Sequence, residues 1–388
     1  MRPPASRIAG IGETIFARMS ALATRSGSVN LGQGAPDVDG PALALHAAER
    51  ALMAGQNQYA PGIGIPALRE AVAAHQWRHY GITLDPASEV VVTTGATEGI
   101  AAALLALVDP GDEVVVLEPY YDSYVAMIQM AGGVRRPVTL RAPDFRLDAE
   151  ALRAAVTPRT RLILLNTPHN PTGTVLTRAE LDVVAEVAIA HDLVVVTDEV
   201  YEHLVLDVAA EHVPLCTLPG MAERTLTLSS LGKSWSLTGW KIGWATGPEH
   251  LVTALTTAKQ WLTYTSGAPL QPAAAVALDE ADDFPATLRT SLRARRDHLV
   301  AGLNGLGIET YMPQGTYFAL SDVSGLGWAD GMAFCEALPE RAGVVAIPTS
   351  VFHDDVEAGR HLVRWAFCKQ ESVLEEGLRR LGAADLRA

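Results

Sequence analysis

Between residues 90 and 230, short apolar runs alternate with amphipathic or Ala/Leu-rich segments. Val90–Thr93, Glu113–Leu117, Arg161–Asn166, Leu193–Thr197 and Thr225–Ser229 predict strands, and Thr97–Val108, Tyr120–Met130 and Arg178–His191 predict helices. Strand and helix in alternation predict an α/β fold with a mostly parallel sheet covered on both faces. The runs Leu162-Ile-Leu-Leu and Val194-Val-Val are apolar at every position, as strands buried on both faces are. Past Pro285 the pattern changes to a long helix, Pro285–Gly305, a strand at Tyr317–Ser321 and a helix at Asp330–Pro339. Strands near Val344–Ile347 and Leu362–Phe367 and a last helix from Glu371 complete a smaller α+β unit. Ahead of residue 40, a short helix at Glu13–Ala23 and an extended stretch, Val29–Pro36, can pack with either unit.

The chain has 388 residues, 48% hydrophobic and 19% charged, which excludes a disordered chain. A net charge of −14 gives no field that attracts phosphate backbones, so nucleic acid is not expected as a partner. Any anionic ligand must then be held by a few placed cations. Cys216, Cys335 and Cys368 form no CxxC pair and read as small apolar residues in a reducing compartment. The N-terminal residues lack a signal-peptide pattern, and apolar stretches such as Gly99–Val108 are half a membrane span. A cytoplasmic protein with no membrane partner is the expectation. His169, His203, His212 and His353 show no metal-ligand spacing, so no metal is expected. Arg293, Arg295 and Arg296 read as a solvated helix face.

In open α/β sheets, ligands bind beyond the carboxyl ends of the strands. After the first strand comes Thr94-Gly95-Ala96-Thr97-Glu98-Gly99, small residues opening a helix whose N-terminus favours an anion. After Arg161–Asn166 comes Thr167-Pro-His-Asn170-Pro-Thr-Gly173, a turn at the mouth of the sheet. After Leu193–Thr197 comes Asp198-Glu-Val-Tyr201; a carboxylate there is either a helix cap or needs a cationic partner. After Thr225–Ser229 comes Ser230-Leu-Gly-Lys233, with Lys241 eight residues further on. The phosphate-loop pattern fails because position 227 is Thr, and Gly62-Ile-Gly64 and Gly10-Ile-Gly12 lack the third glycine of a dinucleotide site. What remains is a lysine among small residues after a strand, placed to form an imine with a carbonyl cofactor.

With Val29-Asn-Leu-Gly-Gln-Gly34, Asn57-Gln-Tyr59-Ala-Pro61 and Glu118-Pro-Tyr-Tyr-Asp-Ser-Tyr124, these motifs resemble fold-type I, pyridoxal-phosphate-dependent aminotransferases of class I/II over almost the whole chain. The kynurenine, methionine and N-succinyldiaminopimelate aminotransferase subgroup is the nearest in pattern. The resemblance implies a three-layer α/β/α large domain over 41–284, a small α+β domain over 285–388, and an N-terminal segment, 1–40, packing with the small domain. It implies that Lys233 forms the Schiff base and, once free, shuttles the proton, for which its pKa must be lowered by burial. Asp198 would pair with the pyridine nitrogen, Tyr201 and Asn170 with the phenolic oxygen, and Tyr121 would stack on the ring, Tyr120 and Tyr124 being rivals for that place. Gly95, Ala96, Thr97, Ser230 and Lys241 would hold the phosphate, joined by Tyr59 from the second subunit of a homodimer. Arg364 would fork onto the substrate α-carboxylate, flanked by Gly34 and Asn170, with Phe16 lining the side-chain pocket.

The implied reaction moves an amino group from an L-amino acid to a 2-oxo acid such as 2-oxoglutarate. A β-lyase acting on cysteine conjugates would use the same site, and a non-catalytic binding module is disfavoured because Lys233 is retained. Ala35 stands where relatives usually carry an aromatic residue, which opens the pocket to bulkier or more polar donors such as methionine, glutamine, N-succinyldiaminopimelate or a specialised-metabolism amino acid, with a kynurenine-like donor also kept open.

Overall fold

The computed structural model describes residues 3–388. Among these, the strands in chain order are β1 (Val29–Asn30), β2 (Val90–Thr94), β3 (Glu113–Glu118), β4 (Val134–Thr139), β5 (Thr160–Asn166), β6 (Val194–Asp198), β7 (Thr225–Ser230) and β8 (Ile242–Thr246). There follow β9 (Glu309–Thr310), β10 (Phe318–Asp322), β11 (Val344–Val345), β12 (Ile347–Pro348) and β13 (Leu362–Ala366). The large sheet has the order β2-β8-β7-β6-β5-β3-β4 and is parallel except for β8, which runs antiparallel to both its neighbours. Every residue of β3, β7 and β8 is buried, as are the last five of β5, so helices cover both faces. The helix Arg178–Ala190 begins on a capping box, Thr177 and Glu180 each bonding the other's backbone N–H.

Two strands escape the sequence pattern. β4 contains Arg135, Arg136 and Pro137, which argue against a strand, but it lies at the sheet edge where proline and charge are tolerated. β8 follows the Lys233 motif directly, and its Gly243 breaks the apolar run. The extended stretch expected at Val29–Pro36 shrinks to β1. There Asn30 Oδ1 accepts the backbone N–H groups of Gly32 and Gln33, at 3.0 and 3.1 Å, and turns the chain. The helix expected from Tyr120 starts at Asp122, because the Tyr120 N–H donates to the Phe352 carbonyl at 2.9 Å.

The second sheet, β12-β13-β10-β9, is antiparallel, and β1 pairs in parallel with β11 beside it. The 22-residue helix Phe284–Gly305 leads into this part. At 1.5 Å per residue it runs about 33 Å. No helix among the described residues is long and apolar enough to cross a membrane.

Candidate active site

A cleft of about 410 Å³ opens at the carboxyl ends of the large-sheet strands, with β13 and the N-terminal segment as its far wall. The one-turn helix Leu231–Ser234 carries Lys233 into it, started by Ser230 Oγ accepting the Gly232 N–H at 3.3 Å. The Lys233 amine stands 5.8 Å from the Tyr201 ring and 5.7 Å from the Tyr317 ring. Burial against these rings lowers its pKa from 10.5 to about 8, partly opposed by the fields of Cys368 and Asp198.

Asp198 ends β6 and is buried, which pushes its carboxyl pKa up; hydrogen bonds from the Tyr124 hydroxyl (2.6 Å) and the Val200 N–H (3.3 Å) pull it down. Its neighbour in the register, Asn166, donates to the Asp198 carbonyl and accepts the Asn170 N–H, both at 2.8 Å. The Asn170 turn is thereby tied to β6.

At the other end, β2 passes into the helix Gly95–Leu107 through Gly95, whose φ is +68°. A Cβ there would also sit 3.1 Å from the Lys241 amine, so glycine lets the cation lie against the helix N-terminus. Lys241 itself adopts φ +55°, a strained conformation for a lysine. Free N–H groups, Lys241 and Ser230 together make an anion cradle in an otherwise acidic protein.

Arg364, on β13, is only 2% exposed. Its Nη1 donates to Asn170 Oδ1 at 3.0 Å and its Nη2 to the Gly32 carbonyl at 2.9 Å; its Nε has no partner among the described residues. The rings of Phe318, Phe16 and Phe352 surround the guanidinium at 4.0, 4.8 and 5.9 Å. Burial lowers its pKa to about 10, so it stays charged at neutral pH. A buried cation with a spare donor and no paired carboxylate is a ready seat for an incoming one. Gly34 lies beside it, where a Cβ would collide with the Phe318 ring at 2.4 Å.

Of the residues expected at the site, Phe16, Gly34, Gly95, Ala96, Thr97, Tyr121, Asn170, Asp198, Tyr201, Ser230, Lys233, Lys241 and Arg364 all line this one cleft. Tyr59 does not; it is 85% exposed and meets Tyr264 edge-on at 5.8 Å. Among the three neighbouring tyrosines, Tyr121 and Tyr124 line the cleft, whereas the Tyr120 hydroxyl turns away to Asp354 at 3.0 Å. Sequence reasoning missed Tyr124 as the partner of Asp198, and it missed Tyr317, whose hydroxyl donates to the Gly34 carbonyl at 3.0 Å. Tyr317 comes from the far side of the chain with no local signal. Tyr124 had one, as the third tyrosine of the Tyr120–Tyr124 run.

The family model for "Aminotransferase class I and II" matches residues 26–381. The chain belongs to that family. It is a pyridoxal-phosphate-dependent aminotransferase, moving an amino group from an amino acid to a 2-oxo acid. It is 54% identical to a probable N-succinyldiaminopimelate aminotransferase of Mycobacterium tuberculosis over 97% of both chains. The solved structure of that organism's N-succinyldiaminopimelate aminotransferase superposes with a TM-score of 0.96, covering 98% of this chain and 100% of the other at 54% identity. The methionine aminotransferase of Escherichia coli is 39% identical over 97% of both chains.

Proposed function

We propose that the chain is a cytoplasmic, homodimeric aminotransferase whose amino donor is N-succinyl-L,L-2,6-diaminopimelate and whose acceptor is 2-oxoglutarate. The observation that carries the donor is the 54% identity over 97% of both chains. Ala35 at the cleft wall supports it, because a methyl group leaves room for a long acylated side chain.

The residues present fit the cofactor: a lysine amine with a lowered pKa, a buried carboxylate, and an anion cradle meet in one cleft. Bound there, pyridoxal phosphate supplies a carbonyl carbon for the amine and an electron-withdrawing ring for the carbon acid. The backbone from Gly95 to Thr97, Ser230 and Lys241 would hold its phosphate. Asp198 would keep the ring nitrogen protonated, and Tyr201 and Asn170 would bond the phenolic oxygen. Tyr121 would cover one face of the ring. Lys233, about half in its neutral form at pH 8, would take the proton from the substrate α-carbon and deliver it to the cofactor's carbonyl carbon. Arg364, fixed by Asn170 and Gly32, orients that α-carbon through the carboxylate. The exposed Tyr59 would complete the phosphate site of a second copy, which is the reason for the dimer.

Single-turnover assays with a panel of donors test the reading. N-succinyldiaminopimelate should react with a kcat/KM at least about tenfold above that of methionine, kynurenine or glutamine. Methionine reacting as fast would discard the donor while leaving the aminotransferase.

A further inference from the structure

Away from the cleft, three histidines converge. His75 and His79 are four residues apart on the helix Pro66–Tyr80 and so share one face. His203 reaches them from the turn after β6, and one ring nitrogen from each lies within 4.8 Å of the other two. His75 and His203 meet Nε2 to Nε2 at 2.7 Å. His79 Nε2 donates to Asp282 Oδ1 at 2.8 Å, which leaves the lone pair on Nδ1 free, and Arg78 Nε in turn donates to Asp282 at 3.2 Å. We propose that His75, His79 and His203 form a binding site for a divalent transition metal of the zinc type, which ties the helix Pro66–Tyr80 to the turn that carries Tyr201.

The donor chemistry selects the ion. Three imidazoles suit zinc, nickel, cobalt or copper, and exclude calcium and magnesium, which require oxygen ligands. Three protein ligands leave a tetrahedral ion one position for water, and His79 is exposed, so an ion reaches the site from solvent. Asp282 supplies the carboxylate that commonly orients a metal-bound histidine. His75 is fully buried, with its Nδ1 beside the Gln76 side-chain amide at 3.3 Å and its Nε2 turned into the cluster. With metal–nitrogen distances near 2.0–2.1 Å, tetrahedral ligands stand about 3.3 Å apart. The His75–His203 pair therefore opens by about 0.6 Å from its hydrogen-bonded separation, and a pair as wide as 4.8 Å closes by about 1.5 Å, both by side-chain rotation.

The test uses the untagged holoenzyme and zinc chloride. Equilibrium dialysis should find one zinc per chain at micromolar free metal. Zinc should raise the melting midpoint by about 2 °C or more, reversibly on chelation. His79→Ala, a surface change that leaves the helix intact, should weaken binding at least about tenfold and remove the thermal shift. His203→Asn should do the same, and the exposed His46→Ala should not. No zinc retained at about 100 µM free metal, or His79→Ala retaining it as tightly as the parent, overturns the proposal.

Discussion

The two walls of the cleft are built in different ways. The large-sheet wall consists of successive strand ends: Gly95 after β2, Asn166 at the end of β5, Asp198 ending β6, Ser230 ending β7. Neighbouring strands bond these groups to one another, as Asn166 bonds Asp198. The opposite wall is assembled from segments hundreds of residues apart: Phe16, Gly34, Phe318 and Arg364. Its one cation is held by a side-chain amide, a carbonyl and three rings rather than by a carboxylate. The first wall is a polar network that tunes protons. The second is an apolar sleeve around a charge that only the ligand can balance.

The same contrast sets what was legible. β5, β6 and β7 announce themselves by apolar runs, and the polar residues just after them are the site. Local pattern thus yields Asp198, Asn170 and Lys233 as candidates, though not their roles. Arg364 reads locally as an edge arginine facing solvent; only the family pattern marks it, because its rings come from three separate segments, Phe16 and Phe318 far along the chain and Phe352 nearer. Tyr317 and Phe318 gave no signal for the same reason. The histidine cluster was half legible, since His75 and His79 show helical spacing, but His203 joins them only through the fold.

The largest effect should come from the tuned wall. Lys233→Ala should lower turnover by at least about a thousandfold, because among the described residues Lys233 is the cleft amine whose pKa is brought down to about 8. Stopped-flow spectroscopy of the half-reaction measures this. Turnover within tenfold of the parent would move the proton shuttle elsewhere.

Next comes the sleeve. Removing one member of a desolvated charge pair costs about 2–5 kcal/mol, so Arg364→Leu should lower kcat/KM about 30- to 5000-fold. Stability should respond the other way. In the absence of substrate the guanidinium is buried and unpaired, and an apolar replacement that fills the sleeve should hold or raise the melting midpoint. A fall in both activity and stability would show that the Asn170 and Gly32 hydrogen bonds already satisfy the charge.

A smaller effect is expected at Tyr124. Its hydroxyl favours the ionised form of Asp198. Tyr124→Phe should lower kcat about five- to thirtyfold, the loss of one hydrogen bond to a charged group worth about 1–2 kcal/mol. KM should change little, since Tyr124 lies on the wall of Asp198 and Lys233, and the proposed reading seats the substrate carboxylate on the opposite wall, at Arg364. Equal changes in both constants would break the division between the walls.

A last effect, on stability rather than turnover, is its dependence on pH, with the cofactor removed so that the Lys233 amine is free. Burial lowers its folded pKa to about 8 from 10.5. The charged form is therefore penalised in the fold, and below pH 8 the penalty is present in full. Between the two values the unfolded chain binds the extra proton, so unfolding becomes harder as pH rises and the penalty is gone above 10.5. Urea unfolding should show the parent gaining on the order of 3 kcal/mol relative to Lys233→Met over that interval. The comparison with methionine subtracts the other lysines and tyrosines that titrate there. A flat difference would mean that the amine is already solvated, and that the tuned wall acquires its low pKa only when the ring closes over it.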